Sequence, residues 1–325
     1  MHRALTRSSH VQVLVHDGHT QAVTKTIARF PDTARCGVFR ADGKLLAAGC
    51  ESGLVQVFDV ANRSVLRQFK THQRPAHAVR FTPDRTHVVS GSDDTTVRLW
   101  DLASGEQVQR MDGHQDYVRC MACLSDSQCL TGSYDHSTRL WDMRQRRAAM
   151  TLEHGAPVES VTAFLNGRIA ASAGGTAVTL WDLAAGGKAL QRIASHQKTV
   201  TSVSVVEVQD PSGRGSARLL SSALDGHVKV YDLDTFKVAY AYKYPAPVTA
   251  AAVSPDLSTM AVGMADKALV FRRHKQRGSA ISAIGARLLD FRLAPSMQCI
   301  VRCAVAHLHH LLAGCPFALL MDLCV

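Results

Sequence analysis

Short apolar runs separated by polar turn residues recur along most of this chain. HVVSGS (87–92) and TTVRLWD (95–101) show the form. Both are rich in β-branched residues and flanked by Ser, Thr and Asp, which predicts strands joined by tight turns. The pattern predicts two strands near the start, in ALTRSSHVQVLVHDG and TQAVTKTIARF. It stops after RRHKQRG, where residues 276–325 change composition and predict an irregular tail with one or two short helices within 281–320. The closing stretch CAVAHLHHLLAGCPFALLMDLCV is the most apolar, but His307, His309, His310 and Pro316 interrupt it. It falls short of the ~18 uninterrupted apolar residues of a membrane span. MHRALTRSSHVQVLVHD has no apolar leader either, so a soluble protein is expected.

A longer period lies over the short one. An aromatic meets an aspartate at Phe58-Asp59, Trp100-Asp101, Trp141-Asp142, Trp181-Asp182 and Tyr231-Asp232, with a degenerate sixth at Phe271-Arg272. The spacings are 42, 41, 40, 50 and 40 residues. The long interval holds QDPSGRGSAR, a polar insertion of about ten residues suited to a surface loop. His72, His114 and His154 precede the aromatic by 27 or 28 residues, and His196 by 35 where the insertion intervenes. Ser90, Thr131 and Ser221 stand ten residues before it, and Ser172 nine. Asp94, Asp135 and Asp225 stand six before. A period of about 40–45 with these marks is the signature of WD40 blades.

The expected fold is therefore all-β: a seven-bladed WD40 β-propeller over 1–275 with an incomplete first blade (1–30), then the divergent tail 276–325. A four-stranded sheet cannot bury both of its faces alone, so such sheets stack. An N-terminal strand usually completes the last blade of such a ring, and none is recognisable here.

Serine, histidine and aspartate together are the kit of a hydrolase. A kit that repeats at fixed period is architecture instead. His72, Ser90, Asp94 and Trp100 are expected to form one buried hydrogen-bonded set, as are His114, Thr131, Asp135 and Trp141. His196, Ser221 and Asp225 form the start of another. The unit with His154, Ser172 and Trp181 has Gly175 in the aspartate's place, and the unit ending at Asp59 has Ser52 there. These units, and the last one, are expected to rely on packing alone. No catalytic residue is expected.

Composition changes this picture little. Apolar residues make up 46% and charged residues 20%, enough for a globular core. A net charge of +10 suggests an acidic partner, but half of the excess falls after residue 270. Nine cysteines, odd in number and few for the length, point to free thiols in a reducing compartment. Cys120 and Cys123 have a metal-like spacing, but no second pair completes a site, and in one strand they would face opposite ways. Cys303, His307, His309, His310 and Cys315 lack regular ligand spacing. No metal or cofactor is expected.

Particular stretches carry a narrower resemblance. RFPDTARCGVFRADGKLLAAGCESGLVQVFDV, DYVRCMACLSDSQCLTGSYDHSTRLWD, LEHGAPVESV with SAGGTAVTLWD, and SALDGHVKVYDLDTFKV resemble the propellers of the family of U3 small-nucleolar-RNA-associated protein fifteen. That family belongs to the early-binding UtpA (t-UTP) group of the small-subunit processome. The resemblance covers residues 4–275. It implies a non-enzymatic scaffold of the nucleus and nucleolus, acting in 18S pre-rRNA processing and linked to RNA polymerase I transcription. Its implied partners are the other UtpA WD40 proteins, pre-rRNA and the U3 snoRNP, with no membrane. The family's N-terminal strand, basic linker and helical C-terminal domain are not recognisable.

Propellers present loops, so exposed rim residues are the candidate contacts. Asp116, Tyr117 and Tyr134 belong to the rim bearing the histidines, with Tyr117 either an anchor or half-buried packing. Arg144, Arg146 and Arg147 form a basic turn, and Arg272, Arg273, Lys275 and Arg277 a second cluster. Either could meet RNA phosphates or be a solvated face. The alternative function is a substrate receptor of a cullin-4 ubiquitin ligase, because Trp141 to Arg144 read WDMR, similar to the WDxR box of such receptors.

Overall fold

A computed structural model describes residues 3–8, 12–17, 23–27, 30–209, 215–254, 259–266, 268–273 and 291–292. Among them every regular element is a strand. β1 (Arg3–Ser8), β2 (Gln12–Asp17) and β3 (Val23–Ile27) make a three-stranded N-terminal sheet. Six four-stranded antiparallel blades follow. Blade 1 is β4 (Ala34–Phe39), β5 (Leu45–Cys50), β6 (Val55–Asp59) and β7 (Val65–Phe69); blade 2 is β8 (Ala76–Phe81), β9 (His87–Ser92), β10 (Val97–Asp101) and β11 (Gln107–Met111). Blade 3 is β12 (Val118–Cys123), β13 (Gln128–Ser133), β14 (Ser137–Asp142) and β15 (Ala148–Glu153). Blade 4 is β16 (Val158–Phe164), β17 (Ile169–Gly174), β18 (Ala177–Asp182) and β19 (Lys188–Ile193). Blade 5 is β20 (Val200–Gln209), β21 (Gly215–Ala223), β22 (His227–Asp232) and β23 (Val238–Lys243). Blade 6 is β24 (Val248–Val253), β25 (Thr259–Met264), β26 (Leu269–Arg273) and β27 (Phe291–Arg292).

The expected seven blades are thus corrected to six blades and a three-stranded sheet. Two strands were expected before residue 30 and three are present. RALTRS and QVLVHD, read as one run, form an antiparallel pair with Ser8 opposite Gln12. The last blade does receive a fourth strand, from the C-terminal side of the chain, where Phe291 pairs with Phe271. The short helices expected within 281–320 otherwise lie outside the described residues.

Each blade's first strand packs on the first strand of the next, from β4 through β8, β12, β16 and β20 to β24. The core is divided among the faces between successive sheets. Val89, Met111, Met121 and Trp141 fill the space between blades 2 and 3, and Leu130, Leu152, Val161 and Trp181 that between blades 3 and 4. Close approach sets some residue types. At Gly132 a Cβ would come within 2.5 Å of both Cys120 Sγ and a Val158 methyl of the next blade, so only glycine fits without a shift.

Candidate functional site

The repeated polar sets are assembled by the turns at one rim. In blade 2, His72 comes from the connection entering the blade, Ser90 from β9, Asp94 from the β9–β10 turn and Trp100 from β10. His72 Nδ1 lies 2.8 Å from Asp94 Oδ2, and Nε2 lies 2.7 Å from Ser90 Oγ. Trp100 Nε1 donates to that same Oγ at 2.8 Å. The indole can only donate, so the Ser90 hydroxyl donates onward to Nε2, and the imidazole carries its proton on Nδ1 toward Asp94. Blade 3 repeats this with His114, Thr131, Asp135 and Trp141, all at 2.7 Å. In blade 5, His196 bonds Asp225 at 2.9 Å and Ser221 at 2.6 Å. Tyr231 replaces the indole, its hydroxyl 3.0 Å from Ser221 and 2.6 Å from Ser195.

Blade 4 corrects the expectation of packing alone. His154 turns its ring over, so that Nδ1 takes the Ser172 hydroxyl at 2.8 Å and Nε2–H donates to the Gly174 carbonyl at 3.1 Å. Trp181 Nε1 still donates to Ser172 at 2.8 Å. A backbone carbonyl does the work of the absent aspartate.

Burial decides the charge states. It holds the His72, His114, His154 and His196 imidazoles below their ordinary 6.5, against the pull of the aspartates where these are present. Burial also acts to raise Asp94 and Asp135, but the hydrogen bonds and charge of their histidines outweigh it and hold both below the usual carboxylate range. The sets therefore hold neutral histidines on ionised aspartates. The Ser90 and Thr131 side chains have no exposed surface for a substrate to reach.

The rim residues Tyr117 and Tyr134 are joined by a group that the sequence did not single out. Arg119, on β12, lies between their rings, its guanidinium carbon 5.1 Å and 4.9 Å from the two centroids. It is only 5% exposed and reaches Asp93 of blade 2 at 3.2 Å, with His77 Nε2 3.4 Å from the same carboxylate oxygen. Tyr134 donates to Glu159 of blade 4 at 2.8 Å, so the cluster links three blades. Asp116 is partly exposed and accepts from the Tyr117 backbone N–H at 2.7 Å. Half-buried packing is thus the observed state of both tyrosines. The available signal was an arginine two residues after one tyrosine in an otherwise uncharged strand.

Arg144, Arg146 and Arg147 lie in the β14–β15 turn, on the opposite rim, and all are exposed. Arg144 is 74% exposed at its side chain yet grips Asp142 with Nε at 2.9 Å and Nη2 at 2.8 Å. That grip brings Asp142 down to about 2. Arg272 is stacked on Tyr242 and Tyr244, at 4.9 Å and 5.5 Å. The two clusters are therefore not equivalent. Arg273 ends β26 and its side chain, like Lys275 and Arg277, lies outside the described residues.

Cys120 and Cys123 do face opposite ways: Cys120 packs between blades 3 and 4 and Cys123 between blades 2 and 3. Burial pushes the Cys123 thiol up to about 12 and also raises Cys120 and Cys129. Among the described residues no three His, Cys, Asp or Glu side chains are grouped to hold a metal. The tail residues Cys303, His307, His309, His310 and Cys315 lie outside them.

Comparison with known proteins narrows the meaning of this scaffold. Residues 4–130 match the family described as Nucleolar protein 10-like, N-terminal domain, and residues 187–232 match the WD domain, G-beta repeat. The U3 small nucleolar RNA-associated protein 15 homolog of Xenopus tropicalis is 42% identical over 270 residues, covering 82% of this chain and 51% of that protein. The Homo sapiens homolog is 41% identical over 84% of this chain and 51% of its own length. The Schizosaccharomyces pombe protein of the same name is 39% identical over 82% of this chain and 53% of its own. The chain thus spans about half the length of these relatives. It carries a WD40 repeat, and over most of its length it is homologous to proteins named U3 small nucleolar RNA-associated protein 15.

Proposed function

We propose that this chain is a non-catalytic propeller scaffold of nucleolar ribosome biogenesis. The observation that carries the reading is the homology over more than four-fifths of the chain to proteins named for their association with U3 small nucleolar RNA. The site chemistry is consistent with it. Every repeated Ser/His/Asp constellation is consumed in joining loops to strands, which leaves the rims to make contacts. In this reading the propeller sits in the small-subunit processome among other UtpA WD40 proteins, supports 18S maturation in the nucleolus, and takes part in the link to RNA polymerase I transcription. Arg146 and Arg147 are its best candidates for RNA phosphates, being exposed and, among the described residues, without a carboxylate grip of the kind that holds Arg144.

The test is gradient sedimentation of lysate from cells expressing the tagged chain. Co-migration with U3 RNA and with other UtpA WD40 proteins in a large particle is expected. A chain found only in light fractions, while those proteins stay in the particle, would contradict the proposal.

A further inference from the structure

In an antiparallel blade the turn between the first two strands and the turn between the last two share one rim, opposite the rim of the histidines. On blades 3, 4 and 5 that rim is basic. Arg144 is held by Asp142. Beyond it, Arg146 and Arg147 are exposed in the β14–β15 turn, Arg168 in the β16–β17 turn, Lys188 at the start of β19 and Lys237 in the β22–β23 turn. Across 143–147, 165–168, 183–188 and 233–237 the one carboxylate is that of Asp234. The aspartates that lead into the last two turns are used within them. Asp182 accepts from the Ala185 N–H at 3.1 Å. Asp232 accepts from the Asp234 and Thr235 N–H groups at 2.9 Å and 3.1 Å, with Arg218 on its other oxygen. The same rim is mixed toward blades 1 and 2, where Arg40 is paired with Asp42 and Asp84, Glu106 and Asp126 stand exposed.

The basic turns lean on one another. Gly187, beside Lys188, is packed against Met150 and Leu152 of blade 3, and Gly167, beside Arg168, lies over Leu124 of the same blade. Leu233, at the start of the β22–β23 turn, packs into the cluster that holds Phe164 and Ile169, the residues flanking the β16–β17 turn. The cations therefore form one track across three blades. Within it, Leu165 is 54% exposed and holds a left-handed conformation with φ 52°. That conformation is disfavoured for leucine, and it keeps an apolar side chain at the turn's tip among the cations.

We propose that this rim is a track for single-stranded RNA, with phosphates on Arg146, Arg147, Arg168, Lys188 and Lys237 and a base or ribose against Leu165. The proposal rests on the reading above that the chain works beside RNA, and it extends the contact from two arginines to three blades. Charge of one sign, with almost no carboxylate among it, suits a polyanion whose charge recurs at every unit. Successive blades are rotated about the propeller axis, so the track curves. A flexible single strand can follow it, whereas a duplex, stiff over many base pairs, meets one blade's share.

Fluorescence anisotropy with the full chain and a labelled single-stranded oligouridine, over a salt series, is the test. On a single strand each phosphate contact contributes ~0.7 to the slope of log affinity against log salt. Arg168→Gln, Lys188→Gln and Lys237→Gln together are expected to make the slope shallower by about 2. Lys70→Gln, Arg74→Gln and Lys198→Gln, exposed on the histidine rim, form the matched control and should leave it unchanged. Leu165→Asn suits the left-handed conformation and is expected to weaken binding without changing the slope. Photocrosslinking of thiouridine-substituted RNA to the unsubstituted chain needs no variant to fold, and its crosslinks should map to the β16–β17 and β22–β23 turns. An unchanged slope in the first triple variant, or equal changes in both, would overturn the track. So would crosslinks confined to the histidine rim, absence of binding, or equal affinity for a duplex of the same length. Displacement of the RNA by polyglutamate at matched charge would also overturn it and name an acidic protein as the partner. Failure of the proposed function reads differently: the unsubstituted chain then stays in light gradient fractions even while the track binds RNA.

Discussion

Ser90→Ala removes a single oxygen that two buried groups share. Ser90 is 0% exposed, and its Oγ accepts from Trp100 Nε1 at 2.8 Å while its proton goes to His72 Nε2 at 2.7 Å. Without that oxygen the indole N–H has no acceptor, at a cost of about 1–3 kcal/mol. The imidazole lone pair also loses its donor, for about 1 kcal/mol more. Alanine is smaller and brings no compensating contact, so the expected loss is about 2–4 kcal/mol. The assay is urea unfolding combined with amide exchange, because stacked blades need not unfold as one unit. The midpoint should fall, and exchange should accelerate first in β9 and β10 rather than in distant β20. Ser104→Ala, at an exposed turn, should change stability by no more than about 0.5 kcal/mol. If Ser90→Ala left both the midpoint and the β9–β10 exchange where they were, the reading of these sets as architecture would be wrong.

Stability should fall on acidification below the ordinary imidazole value of 6.5, since the four buried histidines bind protons more readily in the unfolded chain than in the folded one. Each adds up to ~1.4 kcal/mol per pH unit in that window. The depressed carboxyls of Asp94 and Asp135 contribute stability above 3.8 and lose it as pH falls further. Unfolding curves across pH check both signs, and His114→Gln should make the acid-side slope shallower. Arg119→Leu takes the guanidinium away from the buried Asp93 carboxylate and leaves it only His77, at an expected cost of about 3–5 kcal/mol. The cost should shrink when Asp93→Asn is added, which a double-mutant thermal unfolding cycle measures. The double variant Arg146→Glu, Arg147→Glu should leave stability within about 0.5 kcal/mol. If these arginines meet phosphate, it should lower recovery of U3 RNA; unchanged recovery would remove them as RNA contacts.

The period of aromatic-aspartate pairs was legible because each blade repeats one solution to one problem, joining a loop to a turn through buried polar atoms. Residue types at fixed offsets from Trp100 and Trp141 carry that solution directly. What the sequence hid are solutions made by the backbone or across blades. His154 compensates for Gly175 through the Gly174 carbonyl, and a carbonyl leaves no mark in residue identity. Arg119 finds Asp93 and Tyr134 only once strands of different blades are stacked. β1 was hidden for another reason. RALTRS and QVLVHD are separated by residues 9–11 alone, so they read as one run until their pairing separates them. The basic clusters looked alike in sequence, but Arg272 stacks on two tyrosines whereas Arg146 and Arg147 are exposed.

Purification of this chain after crosslinking in cells, with its RNA sequenced, tests the central claim most directly. A full-length relative is purified in parallel. The account predicts that U3 RNA and the 5′ external-spacer precursor are enriched with both proteins. Enrichment with the relative but not with this chain would contradict the claim that the propeller itself is the scaffold element.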